Sequence, residues 1–167
     1  MQERGGIGRY SARLAEALQA RGDVALTLLY HGRCPAPLPP TLQGLPRRPV
    51  SLGSKPWRAG VAAALVLGLP LDRWLGVRGL FHATDHLLPP LRHAPTVFTV
   101  HDLAFLTQPE THLHSNRAFL ARMLPRFRAA ATLVIADSEA TRQDLLRCYA
   151  LPPAKVRTVP LGVEPRF

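Results

Sequence analysis

A chain of 167 residues is long enough for one domain with a sizeable core and too short for two ordinary ones. Apolar residues at 47% against charged residues at 19% exclude a disordered tail and predict a packed core. The net charge of +10 favours anionic partners, whether phosphate-bearing substrates, an acidic membrane surface or nucleic acid, and charge alone does not choose among them.

From Ile7 the apolar positions Ile7, Tyr10, Leu14 and Leu18 recur at helical spacing, and Gly22 supplies a C-terminal stop. The apolar run from Val24 to Tyr30 is short and β-rich, the pattern of a buried strand. Residues 31–49 carry six prolines among glycines and arginines and are expected to form a loop. Trp57 to Leu75 is expected to be helical in one or two pieces, broken around Gly68 and Pro70. Gly79 to Ala83 and Thr96 to Val100 are predicted parallel strands. Ser115 to Ala131 is a predicted helix with a kink at Pro125, followed by a strand from Thr132 to Ala136. Ser138 stands as an N-cap before a helix carrying Leu145, Leu146 and Tyr149, which Pro152 and Pro153 end. A last strand, Val156 to Val159, leads into Pro160, Gly162 and Pro165, a linker-like exit. This alternation predicts an α/β fold with a Rossmann-like, doubly wound parallel sheet.

Cys34 and Cys148 are far apart and lack the paired spacing of zinc or redox motifs, so two free thiols in a reducing compartment and no metal site are expected. The longest apolar run, Val61 to Leu71, is about half of the ~20 residues that span a bilayer. Met-Gln-Glu-Arg-Gly-Gly carries no apolar signal region, and the expectation is a cytoplasmic chain.

Ligands of open parallel sheets bind outside the carboxyl ends of the strands, which directs attention to four loops. Gly5-Gly6-Ile7-Gly8 opens the first helix, where backbone N–H groups can approach a phosphate or a sugar hydroxyl. A plain turn explains those glycines equally well, and Ser11 stands where a dinucleotide fingerprint wants its third glycine. His82-Ala83-Thr84-Asp85-His86 offers groups that can hydrogen-bond a hydroxylated acceptor, or that merely form a turn. His101-Asp102 pairs an imidazole able to bond a sugar with a carboxylate able to orient it, although such a pair also serves structure alone. For Ser138-Glu139 the capping role is favoured.

In order along the chain these segments resemble the N-terminal domain of family 4 glycosyltransferases. The resemblance is carried by Gly-Gly-Ile-Gly-Arg-Tyr at residues 5–10, Phe81-His82-Ala83-Thr84 and Thr99-Val100-His101-Asp102-Leu103-Ala104-Phe105-Leu106 with Pro109-Glu110. It continues in Ala136-Asp137-Ser138-Glu139-Ala140-Thr141 and in Lys155 to Val163. The resemblance implies the acceptor-side half of a GT-B fold over residues 1–167, its first strand missing, with 160–167 starting a linker to an absent donor-binding domain. It implies a retaining hexosyltransferase of mannose or glucose type, with a nucleotide-diphosphate sugar as co-substrate, no cofactor, and a glycan or lipid-linked acceptor. His101 and Asp102 are the implied catalytic positions, with Asp102 as loop support. Gly6, Ile7, Gly8, Tyr10, Thr84 and Ser138 are the candidate substrate-binding residues, and the isolated chain is expected to be inactive.

Two further readings stay open. The chain can be a stand-alone Rossmann-like module that holds a nucleotide or polyanion without chemistry; a nucleic-acid role lacks any recognition motif and is not expected. Arg117, Arg122, Arg126 and Arg128, with Lys55, Trp57, Arg58, Arg73 and Trp74, form either a peripheral contact with the inner face of an anionic membrane or an ordinary solvated basic face.

Overall fold

The computed structural model describes residues 6–32, 38–108, 110 and 114–162. Helix α1 (Gly6–Arg21) ends at Gly22, whose φ of +73° suits the absence of a side chain. Strands β1 (Leu28–His31) and β2 (Arg47–Val50) pair in parallel, with Leu28 opposite Arg47 and His31 opposite Val50. Helices α2 (Ser54–Val66) and α3 (Asp72–Leu75) follow, separated by the expected break at Gly68 and Pro70. Then come β3 (Phe81–Ala83), β4 (Thr96–Val100), the short α4 (Ala104–Thr107) and the long α5 (His114–Ala130). The described chain closes with β5 (Leu133–Ala136), α6 (Glu139–Tyr149) and β6 (Val156–Thr158).

The second sheet is parallel throughout in the order β3-β4-β5-β6. Phe98 of β4 is fully buried and meets Phe127 of α5 at 6.1 Å between ring centroids. Thr99, the next residue, points to the opposite face, where it meets Tyr10 of α1. Helices therefore cover both faces, as a doubly wound α/β fold requires.

Several expectations change in detail. Val24 is 45% exposed and residues 24–27 approach the sheet as coil, so β1 starts later than the apolar run. β2 lies inside the segment expected to be loop: Arg47, Arg48 and Pro49 are exposed and only Val50 is buried, so no alternation announces it. Proline is tolerated there because β2 is an outer strand. α5 continues through Pro125 as one helix. α6 ends before the two prolines, at Ala150, which takes the left-handed conformation and donates its N–H to Leu146 O at 3.0 Å. Ser138 is the expected N-cap, its Oγ accepting from Thr141 N–H at 3.1 Å.

The principal departure concerns continuity. β1 and β2 form a sheet of their own, separate from β3–β6. Between the two lies a cavity of about 860 Å³, lined by α1, by residues 24–30 and by residues 75–82. One edge of each sheet, at β1 and at β3, thus borders the cavity.

The expected basic surface also divides. Trp57 is buried against Trp74, and the Arg58 guanidinium lies 4.0 Å from the Phe119 ring centre and donates to Asn116 Oδ1 at 3.0 Å. These two residues join α2 to α5 and are not part of a surface patch. Arg128 is half-buried over Tyr149, whereas Arg73, Trp74, Arg117, Arg122 and Arg126 are exposed. No helix among the described residues is long and apolar enough to cross a membrane. Cys148 is an exposed free thiol, and Cys34 lies outside the described residues.

Candidate functional site

Strand register builds the site. Val100 lies opposite Ala136, so the next residues, His101 and Asp137, emerge side by side from the carboxyl edge of the sheet. Ala83 lies opposite Phe98, which brings Thr84 beside Thr99 and His101. The His101 Nδ1 sits 3.0 Å from Asp137 Oδ2, and its Nε2 sits 3.1 Å from the Thr84 carbonyl oxygen. Its own carbonyl accepts from Thr141 Oγ1 at 3.0 Å. The Tyr10 ring stands edge-on to the imidazole with centroids 5.0 Å apart and planes at 85°. An imidazole held at both nitrogens, at its backbone and on one edge has little rotational freedom.

Helix α1 is fastened to the same edge by side-chain hydroxyls. Ser11 Oγ donates to Thr84 Oγ1 at 2.7 Å, and Tyr10 Oη lies 3.2 Å from Thr99 Oγ1. The same Thr99 oxygen meets His82 Nε2 at 2.8 Å. Burial lowers the His82 pKa, so this ring is held neutral. Burial pushes the Asp85 carboxyl up, but its contact with His86, through ring, backbone N–H and charge, outweighs that and holds it below the usual carboxylate range.

A cavity of about 240 Å³ opens beside His101. His86, His101, Asp102 and Asn116 supply its polar lining, and Ile7, Phe98, Phe105, Leu120 and Leu124 apolar lining. Asp102 has its own structural task, its Oδ1 accepting from Ala104 N–H at 2.8 Å at the start of α4. Gly6 opens α1, and a methyl group built on it meets no atom of the described residues within 4 Å. Among the described residues nothing fills the space beside it, at the positive end of a 16-residue helix.

Of the residues singled out from sequence, His101, Asp102 and Ile7 line one cavity, and Tyr10 braces the imidazole from α1. Gly6 and Gly8 flank Ile7 in the first turn of α1, while Gly5 lies outside the described residues. Thr84 contributes its carbonyl to His101 and its hydroxyl to Ser11. Ser138 is spent on its cap and on Thr141. Sequence reasoning gave no role to Asp137, Thr99 or Asn116. Asp137 had a signal of its own, as an acid directly following the strand that neighbours β4. Among the described residues no group of three His, Cys, Asp or Glu side chains is placed to hold a metal ion.

A parallel α/β domain with its polar cluster and cavity at the carboxyl edge of the sheet is the class of protein that binds a small polar substrate between strand-end loops. Residues 4–167 match the profile of Glycosyltransferase Family 4, and the chain belongs to that family. It is also 25% identical, over 172 aligned positions and 94% of its length, to the O-antigen chain mannosyltransferase B of Escherichia coli. The chain spans 43% of the length of that relative.

Proposed function

We propose that this chain is the acceptor-side portion of a retaining hexosyltransferase that moves a mannose- or glucose-type sugar from a nucleotide sugar to a glycan or lipid-linked acceptor. The observation that carries this reading is the imidazole of His101, fixed by Asp137, Thr84 and Tyr10 beside the cavity that Ile7 and Asp102 also line. Family membership and the mannosyltransferase name of the relative support the reaction class and the hexose.

In this reading His101 meets the transferred sugar, and the open first turn of α1 faces the departing diphosphate. Catalysis rests on positioning and on stabilising developing charge, so no nucleophilic side chain is required of this domain. The nucleotide is held in this reading by a second domain that faces the carboxyl edge of this one. The chain's place of action is the cytoplasm, at the inner face of the plasma membrane when the acceptor is lipid-linked.

The test uses the whole protein as its gene encodes it, with radiolabelled nucleotide-activated mannose and glucose and a membrane extract as acceptor. Wild type transfers one of the two sugars, and His101→Ala lowers kcat by about 100-fold or more with an unchanged circular dichroism spectrum. Asp137→Asn lowers kcat less, because the ring keeps its Thr84 and Tyr10 contacts. Full transfer by His101→Ala overturns the assignment. Nucleotide binding with no transfer to any extract favours the stand-alone binding module instead.

A further inference from the structure

Asn116 stands where two helices and a cavity meet. On α5 the residues Asn116, Leu120 and Leu124 recur every four positions and so form one stripe of the helix, and all three line the cavity beside His101. Phe119 lies on the neighbouring stripe, toward α2, where the Arg58 guanidinium sits 4.0 Å from its ring centre. Arg58 Nη2 donates to Asn116 Oδ1 at 3.0 Å.

That contact settles which way the carboxamide points. A guanidinium carries donors only, so the atom it meets on Asn116 has to be the oxygen. Arg58 stands outside the cavity, and the amide nitrogen, on the other arm of the planar carboxamide, is the donor that Asn116 presents to it. Among the described residues no acceptor meets this Nδ2.

The cavity therefore combines a neutral donor, Asn116, with an acceptor-only group, Asp102, whose Oδ1 already takes the Ala104 N–H. An anionic ligand suits the first and is repelled by the second. A lipid tail suits Phe105, Leu120 and Leu124 but leaves the Asn116 N–H without a partner. A hydroxyl serves both polar groups, accepting from Asn116 and donating to Asp102, and a pyranose ring adds an apolar C–H face for the rest of the lining. At about 240 Å³ the cavity is smaller than the pockets of about 300 Å³ and above that hold drug-sized ligands, so it takes one ring and not a chain of them.

In the hexosyltransferase reading, on which this inference rests, every lining residue belongs to the acceptor-side domain, so the ring is that of the acceptor. We propose that Asn116 selects the acceptor by donating its side-chain N–H to a ring hydroxyl of the receiving sugar, and that Arg58 is the positioning residue that holds it in that orientation.

The probes are methyl α-mannoside and methyl α-glucoside, titrated into the whole protein and followed by saturation-transfer NMR. Asn116→Asp separates recognition from packing. The carboxylate keeps an oxygen toward Arg58 and gains an ion pair with it, so Tm holds or rises, but it loses the donor and adds a negative charge to the cavity that Asp102 already lines. Affinity for the glycoside that binds wild type falls by about tenfold or more. Arg58→Met keeps an unbranched stem against Phe119 and frees the carboxamide to turn, and affinity falls by about threefold. In an Asn116→Ala background Arg58→Met changes affinity no further, an outcome that a packing role of Arg58 does not give. In the transfer assay both single variants raise the half-saturating amount of acceptor extract and leave that of nucleotide sugar unchanged.

Wild-type affinity in Asn116→Asp, no binding of either glycoside to wild type, or an equal effect of Arg58→Met with and without Asn116 overturns the proposal. The titration requires no sugar transfer. Glycoside binding that depends on Asn116 in a protein that transfers no hexose refutes the enzymatic reading and supports the sugar site. Transfer that needs His101 but is indifferent to Asn116 overturns the proposal and leaves the enzymatic reading intact.

Discussion

Replacing Thr99 by valine tests how α1 is held to the site. Thr99 is 1% exposed, and its Oγ1 lies 3.2 Å from Tyr10 Oη and 2.8 Å from His82 Nε2. Valine keeps the branched shape and deletes only the hydroxyl, so packing contributes little to the difference. Each neutral hydrogen bond of this kind is worth about 0.5–1.5 kcal/mol net, and a donor left without water costs somewhat more. The expected loss is about 2 kcal/mol, which for a chain of this size lowers Tm by about 4–8 °C. Urea unfolding followed by circular dichroism measures the free energy, and amide exchange locates it. α1 loosens more than α5, because α5 packs on the opposite face through Phe127. Thr99→Ser keeps the oxygen and loses one methyl group, at about 0.8 kcal/mol, with exchange in α1 unchanged. A valine variant that loses less than about 0.5 kcal/mol, or that loosens α1 and α5 alike, refutes the reasoning.

Three other outcomes are expected. Asp72 is buried and accepts the N–H groups of Arg92 and His93, both at 2.9 Å, so Asp72→Ala costs about 3 kcal/mol in a urea titration. Burial pushes the Asp72 carboxyl up, but those two N–H groups and the charge on His93 together hold it below its ordinary value. Its contribution is therefore full above the unfolded carboxylate pKa and is lost as pH falls through the lower folded value, and Asp72→Asn flattens the acid limb of stability against pH. Burial lowers the His82 pKa, so its contribution is complete above the unfolded imidazole pKa of about 6.5 and is lost as pH falls through the lower folded value; His82→Gln removes that part of the acid decline, read from urea midpoints. Ala150 has a φ of 48° at the end of α6, and Ala150→Gly raises stability by about 0.5–1 kcal/mol, visible as a higher Tm.

Legibility in the sequence followed the range of the forces involved. β4 is read at its observed bounds because Thr96-Val-Phe-Thr-Val is β-prone in itself and bounded by turn residues. The Ser138 cap is read because capping needs only residues three apart in the chain. β2 is not read, since an outer strand exposing Arg47, Arg48 and Pro49 carries no alternation. Trp57 and Arg58 look like surface anchors in sequence because aromatic and basic residues mark interfaces and helix–helix contacts alike. Only the approach of α5, which brings Phe119 and Asn116, decides between the two.

The sequence by itself determined the α/β alternation, the strand-end loops where chemistry collects, and the resemblance that named the family. Tertiary structure decided which of those loops meet. Asp137 becomes the partner of His101, 36 positions away, through the parallel register of β4 and β5, and Thr99 joins α1 to β3 because successive side chains on a strand face opposite ways. It decided as well that the sheet divides beside β1, since hydrogen bonds between distant strands are set by neighbours in space, which local propensity does not encode.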